Sequence, residues 1–298
     1  QIDRDFPAER QRPQVGDTFA MQANAAKEGL VRLIRHTCQG LLRDLPVAAP
    51  AGAAAVTAQL DARALFGAAD ERDEFYLDAE ARRVRLQTTV VAALACADLV
   101  QRQLAAAVLP PAQVQAVIAR LADLTKIVAD EVAITRDAAG AITYVATLPA
   151  KQQGSYRLGS ATDPEATYRV HGPGKCELGY NVSVAVTPHF VREIQAATGA
   201  QPDAAGLPAL LTAQQEHHGV TPAQFIYDAA AGEAKTRVLV AQATDGQTQL
   251  IAPLRPSTAR HALGPTDCTL AADGLTLTCP NGQVSTTAYR AQSADGRT

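Results

Sequence analysis

The feature that most constrains this chain is a change in hydrophobic period along its length. Leu30, Leu33, Ile34, Leu41, Leu42 and Leu45 recur at spacings of three, four and seven, which gathers them on one face of a helix. Further on, Tyr180, Val182, Val184 and Val186 alternate with Asn181, Ser183 and Ala185, the period of a half-buried strand. The chain must therefore house both a helix-rich part and a sheet-bearing part. With 298 residues, 47% of them hydrophobic and 19% charged, it is long enough to bury one large core or two smaller ones. Aromatic residues make up only 4% and Trp is missing, so Ala, Val and Leu do most of the packing.

Residues 1–13 read as a connecting segment, and residues 14–24 as a first strand with Asp17 inside a small, apolar run. Pro46 and the Ala/Gly/Pro stretch to Ala55 are expected to end the helix that begins near Leu30. Residues 56–133 read as mostly helical. Asp78 is the expected N-cap of a helix through Leu86, Val90, Leu94 and Ala97, and Pro111 suits the first turn of the next. Ile134 to Leu148 reads as a hairpin around Asp137-Ala138-Ala139-Gly140. Residues 25–150 thus form a mostly helical insertion. Residues 151–260 return to α/β alternation, opening with a polar loop over 151–176. Strands follow over Tyr180–Val186, Phe190–Ala196, Gln224–Tyr227 and, buried, Gln249–Leu254. Helices are expected over Asp203–Glu216 and Gly232–Gln242, and residues 261–298 begin a cysteine-containing β segment.

The net charge of −3 gives no sequence-wide basic field, though it leaves room for a local basic groove. No uninterrupted apolar run approaches the ~18 residues of a membrane span. Five cysteines, sparse and odd in number, with no charged-then-apolar leader, point to a reducing, intracellular setting. The chain opens on Gln1 and closes on a polar run, which reads as a piece of a longer protein. Asp17 in its apolar run and Asp228 at a strand's carboxyl end are the candidate chemical groups. Either they hold divalent cations or they cap backbone, Asp228 over the helix from Gly232. His217-His218 is either a metal pair or an exposed helix end before Gly219, and it reads as the helix end because neighbouring residues on a helix do not face the same way. Cys268 and Cys279 are too far apart in sequence for a zinc knuckle.

Four stretches resemble the insertion-sequence DDE transposases, whose catalytic domain is RNase H-like. They are Gly16-Asp17-Thr18; Thr162-Asp163-Pro164-Glu165-Ala166 with Lys175 and Gly179-Tyr180-Asn181-Val182; Asp203 with Leu207 and Leu210; and Phe225-Ile226-Tyr227-Asp228. Cys279-Pro280-Asn281-Gly282 is similar to a cysteine insertion of one branch. The resemblance implies an RNase H-like mixed sheet whose first and second strands flank the helical insertion. It implies Asp17 and Asp228 as catalytic metal ligands for Mg²⁺ or Mn²⁺, and DNA as the partner, cleaved and joined at transposon ends by a possible homodimer. The setting would be the bacterial cytoplasm, at the nucleoid. Lys151, Arg157, Arg169 and Lys175 would contact DNA phosphates, with Lys235, Arg237, Arg255 and Arg260 as a weaker set. Ala229-Ala230-Ala231 departs from the pattern after Asp228, and no residue stands in the context of the family's third carboxylate. The chain alone is accordingly expected to be inactive. The alternatives are a nuclease of the same fold without strand transfer, and a non-catalytic remnant or DNA-binding α/β module.

Overall fold

The computed structural model describes residues 2–106, 111–154, 156–170, 176–254, 267–272 and 276–285. Along the chain run α1 (Ile2–Asp5), β1 (Gln14–Gln22), α2 (Leu30–Ala48), α3 (Pro50–Gln59), α4 (Ala62–Phe66), α5 (Ala79–Ala106) and α6 (Pro111–Glu131). Then come β2 (Val132–Arg136), β3 (Ile142–Thr147), β4 (Thr167–Val170), β5 (Cys176–Val186), β6 (Val191–Thr198) and α7 (Leu207–His218). The chain continues through β7 (Gln224–Ile226), α8 (Ala234–Ala243), β8 (Gln249–Ile251), β9 (Thr269–Leu270) and β10 (Leu277–Thr278). It is a mixed α/β protein. The main sheet has the strand order β4-β5-β1-β7-β8, with β6 also paired to β5.

The chain divides into two compact units, one of Gln1–Thr18, Ser183–Gln195 and Pro202–Thr298, the other of Phe19–Val182 and Ala196–Gln201. The first unit is built on parallel pairing of β1 with β7 and of β7 with β8. Its core joins Phe225, Tyr227 and Leu250 to Leu207, Leu210 and Leu211 of α7 and Val240 of α8. Arg237 of α8 donates to the carbonyls of Leu250 (3.0 Å) and Ala252 (2.6 Å), locking that helix to β8. β8 is not the buried strand expected over Gln249–Leu254. It is three residues long and only Leu250 is buried, because only one of its faces meets helices.

The second unit is the helical part. α2 packs on α3, α5 and α6 around Leu33, Ile34, Cys38 and Leu41. The β2–β3 hairpin forms as expected, and Asp78 caps α5 by accepting from Ala81 N–H at 2.8 Å. α2 ends at Ala48, inside the Ala/Gly/Pro stretch as expected, but the rest of that stretch is itself helical, in α3. Pro46 lies in the last turn of α2 and leaves the Leu42 carbonyl without its helical N–H, two residues before the helix ends, and Pro50 starts α3 at its first turn. Alanine, the strongest helix former, carries α3 between them. The loop expected over 151–176 contains strand β4, antiparallel to β5. Among the described residues, α5 alone is long and apolar enough to cross a membrane. Its Leu86, Val90, Ala93, Cys96 and Val100 are buried in this unit's core.

Candidate functional site

β1 and β7 run parallel with Gln14 opposite Phe225 and Val15 opposite Ile226. Continuing that register by two residues, past the end of β7 at Ile226, would set Asp17 level with Asp228. Burial alternates on both strands: Gln14, Gly16, Phe225 and Tyr227 are buried, whereas Val15, Asp17, Ile226 and Asp228 are exposed. The two carboxylates therefore belong to the same outward face, away from the core beneath α7 and α8. Gly16 is the residue that lets this happen. A Cβ there would lie 2.4 Å from the Phe225 ring and 2.8 Å from that of Tyr227.

Each carboxylate also meets backbone. Asp17 Oδ1 accepts from Thr18 N–H at 2.7 Å, and Asp228 Oδ1 accepts from Ala230 N–H at 2.9 Å. The cap on Asp228 thus serves the short 3-10 turn Ala229–Ala231 rather than a helix starting at Gly232. Tyr227, between the two strands' ends, reports the local field. Its hydroxyl donates to the Asp203 carbonyl at 3.2 Å. Burial pushes its phenol up to about 12; a hydrogen bond with Thr18 opposes this, and the negative charges of Asp203, Asp228 and Asp17 add to it. Asp203, which the sequence offered only as part of a helix, is thus the third acidic group around this ring. It lies in a 3-10 turn, Asp203–Gly206, that precedes α7.

The Asp-Pro-Glu and Gly-Tyr-Asn stretches also meet, in the second unit. Tyr180 Oη donates to Asp163 Oδ1 at 2.5 Å, which raises the phenol to about 12. Arg169 donates to Asn181 Oδ1 at 3.0 Å, and Asn181 Nδ2 donates to the Gln201 carbonyl at 2.9 Å. These stretches fasten a loop to β5, with Asp163 held by the Tyr180 hydroxyl. Of the residues assigned to DNA, Lys151 is exposed. Arg157 is turned inward, stacked over Tyr168 at 4.5 Å and paired with Glu131 at 3.4 Å. Lys175, Arg255 and Arg260 lie outside the described residues, while Lys235 is exposed.

Sequence reasoning missed Glu193 as the partner of the histidine pair. His217 and His218 both reach Glu193, against the expectation that adjacent helical residues diverge. The near nitrogen of one ring and the far nitrogen of the other bridge the angle between them. Among the described residues this is the one group of three His, Cys or acidic side chains whose ligand atoms all lie within 4.8 Å of one another. Cys268 and Cys279 are free thiols that fall opposite one another if the register of β9 and β10 is extended by one residue. Comparison with protein-family models, curated proteins and solved structures found nothing that matches this chain.

Proposed function

We propose that the chain is the catalytic region of a DNA transposase of the DDE type, with Asp17 and Asp228 as ligands for Mg²⁺ or Mn²⁺. The observation that carries this reading is the parallel pairing of β1 with β7, whose register, continued two residues past the last pair, would bring Asp17 and Asp228 level. The strand order β4-β5-β1-β7-β8, with β6 also paired to β5, supports an RNase H-like sheet, and the helices α2 to α6 lie in sequence between β1 and the rest of it. Two hard carboxylate donors suit Mg²⁺, and each aspartate has an oxygen beyond the one held by a backbone N–H. The chemistry supplied on metal binding is activation of a water or 3′-hydroxyl and stabilisation of the leaving oxygen in an in-line phosphoryl transfer. The backbone bonds to Thr18 and Ala230 orient the carboxylates, and Gly16 keeps β1 close to β7. The exposed face leaves room for a DNA backbone.

Calorimetric titration of the chain with Mn²⁺ tests this. Asp17→Asn and Asp228→Asn should each weaken binding by about 10-fold or more, with the double variant no weaker than the worse single one if they share an ion. Wild-type affinity in both variants would defeat the reading. A second reading, a non-catalytic α/β module, is favoured by the backbone bonds that both carboxylates already make. It predicts that the same substitutions lower Tm without touching Mn²⁺ affinity.

A further inference from the structure

The carboxylate of Glu193 is nearly buried, with a side-chain exposure of 9%, at the edge of the first unit. Its Oε1 accepts from Ile194 N–H at 2.9 Å, which fixes the group so that Oε2 faces the end of α7. There Oε2 lies 2.9 Å from His217 Nδ1 and 3.5 Å from His218 Nε2. The rings are nearly perpendicular, with centroids 6.0 Å apart.

We propose that Glu193, His217 and His218 bind Zn²⁺. A tetrahedral zinc with ligands at about 2.0–2.1 Å spaces neighbouring ligand atoms by about 3.3 Å. The two separations from Glu193 Oε2 bracket that value, and the three ligand atoms all lie within 4.8 Å of one another, within the reach of one ion once the rings turn toward it. Two imidazoles and one carboxylate suit zinc and its transition-metal neighbours rather than Mg²⁺. The histidines close a 12-residue helix whose C-terminal carbonyls favour a cation. The Ile194 N–H acts as the outer support that holds a metal ligand in one orientation.

The adjoining cavity, of about 390 Å³, is lined by Ile2, Asp3, Val191, Arg192, His217 and His218. Arg192 and Asp3 pair there at 2.6 Å and cancel each other's charge, leaving Glu193 as the anionic ligand, which offsets half of the Zn²⁺ charge. Three protein ligands leave a fourth position for water or an oxygen-bearing group. The site is independent of the reading of Asp17 and Asp228.

The test is calorimetric titration of the chelator-stripped full chain with Zn²⁺, with Co²⁺ absorption as the probe of coordination. One equivalent of Zn²⁺ and a tetrahedral-type Co²⁺ spectrum are expected. His217→Ala and His218→Ala should each lose that equivalent while keeping the wild-type circular dichroism, since both rings are about half exposed. Glu193→Gln should lose it too, while the Cys268→Ser/Cys279→Ser double variant should retain it. Absence of the equivalent in the wild type, its survival in the two histidine variants, or its loss with the cysteines would each overturn the proposal. If Glu193→Gln does not fold, the histidine variants decide.

Discussion

Gln214 is fully buried in α7, yet neither its carboxamide oxygen nor its nitrogen finds a partner among the described residues. An unpaired buried amide costs about 1–3 kcal/mol. Gln214→Met, which keeps the length and removes the polar atoms, should stabilise the chain by about 1 kcal/mol, measured as a higher urea midpoint at unchanged m-value. A lower midpoint would mean the amide has a partner. At this scale the sequence was informative about residue type and silent about company. Asp17 and Asp228 stood out because a carboxylate beside apolar residues needs a reason to be there. Glu193 did not, because nothing near it in sequence marks the two imidazoles that it meets 24 and 25 positions later.

Strands and helices show where local pattern suffices and where it fails. The 3.6-residue period located α2, α5 and α6, and the Asp-Ala-Ala-Gly turn located the β2–β3 hairpin. Pro and Gly marked the end of α2 at Ala48 but gave no sign of α3, whose Ala53 and Val56 are buried by tertiary packing. The pattern also failed at β4, whose Thr-Tyr-Arg-Val is too short to show a period without β5 beside it. Gly179 in β5 makes the packing constraint testable. A Cβ there would lie 2.1 Å from the Met21 carbonyl oxygen, a backbone atom that cannot swing aside. Gly179→Ala should cost about 1–3 kcal/mol in chemical denaturation, the range of overpacked sites. A near-neutral effect would show that β1 and β5 can move apart there.

Across the whole molecule, tyrosines in both units couple stability to alkaline pH. The phenols of Tyr180 and Tyr227 are raised from 10.0 to about 12, the first by its bond to Asp163 and the second by burial. The folded chain therefore keeps protons that the unfolded chain releases between about pH 10 and 12. Their stabilisation is fully present below pH 10 and is lost as pH climbs through 12. Urea midpoints should fall across that window, and Tyr180→Phe or Tyr227→Phe should each flatten the fall. An equal slope in both variants would rule these groups out. By itself the sequence determined the α/β class, most helices and the two aspartates worth following, because periodicity, capping and turn chemistry act over a few residues. Only the tertiary structure decided which distant groups meet: β1 beside β7, Tyr180 on Asp163, Glu193 under two histidines. Strand pairing and helix packing join positions that no local pattern relates, and the cost of burying charge then selects which of them stay together.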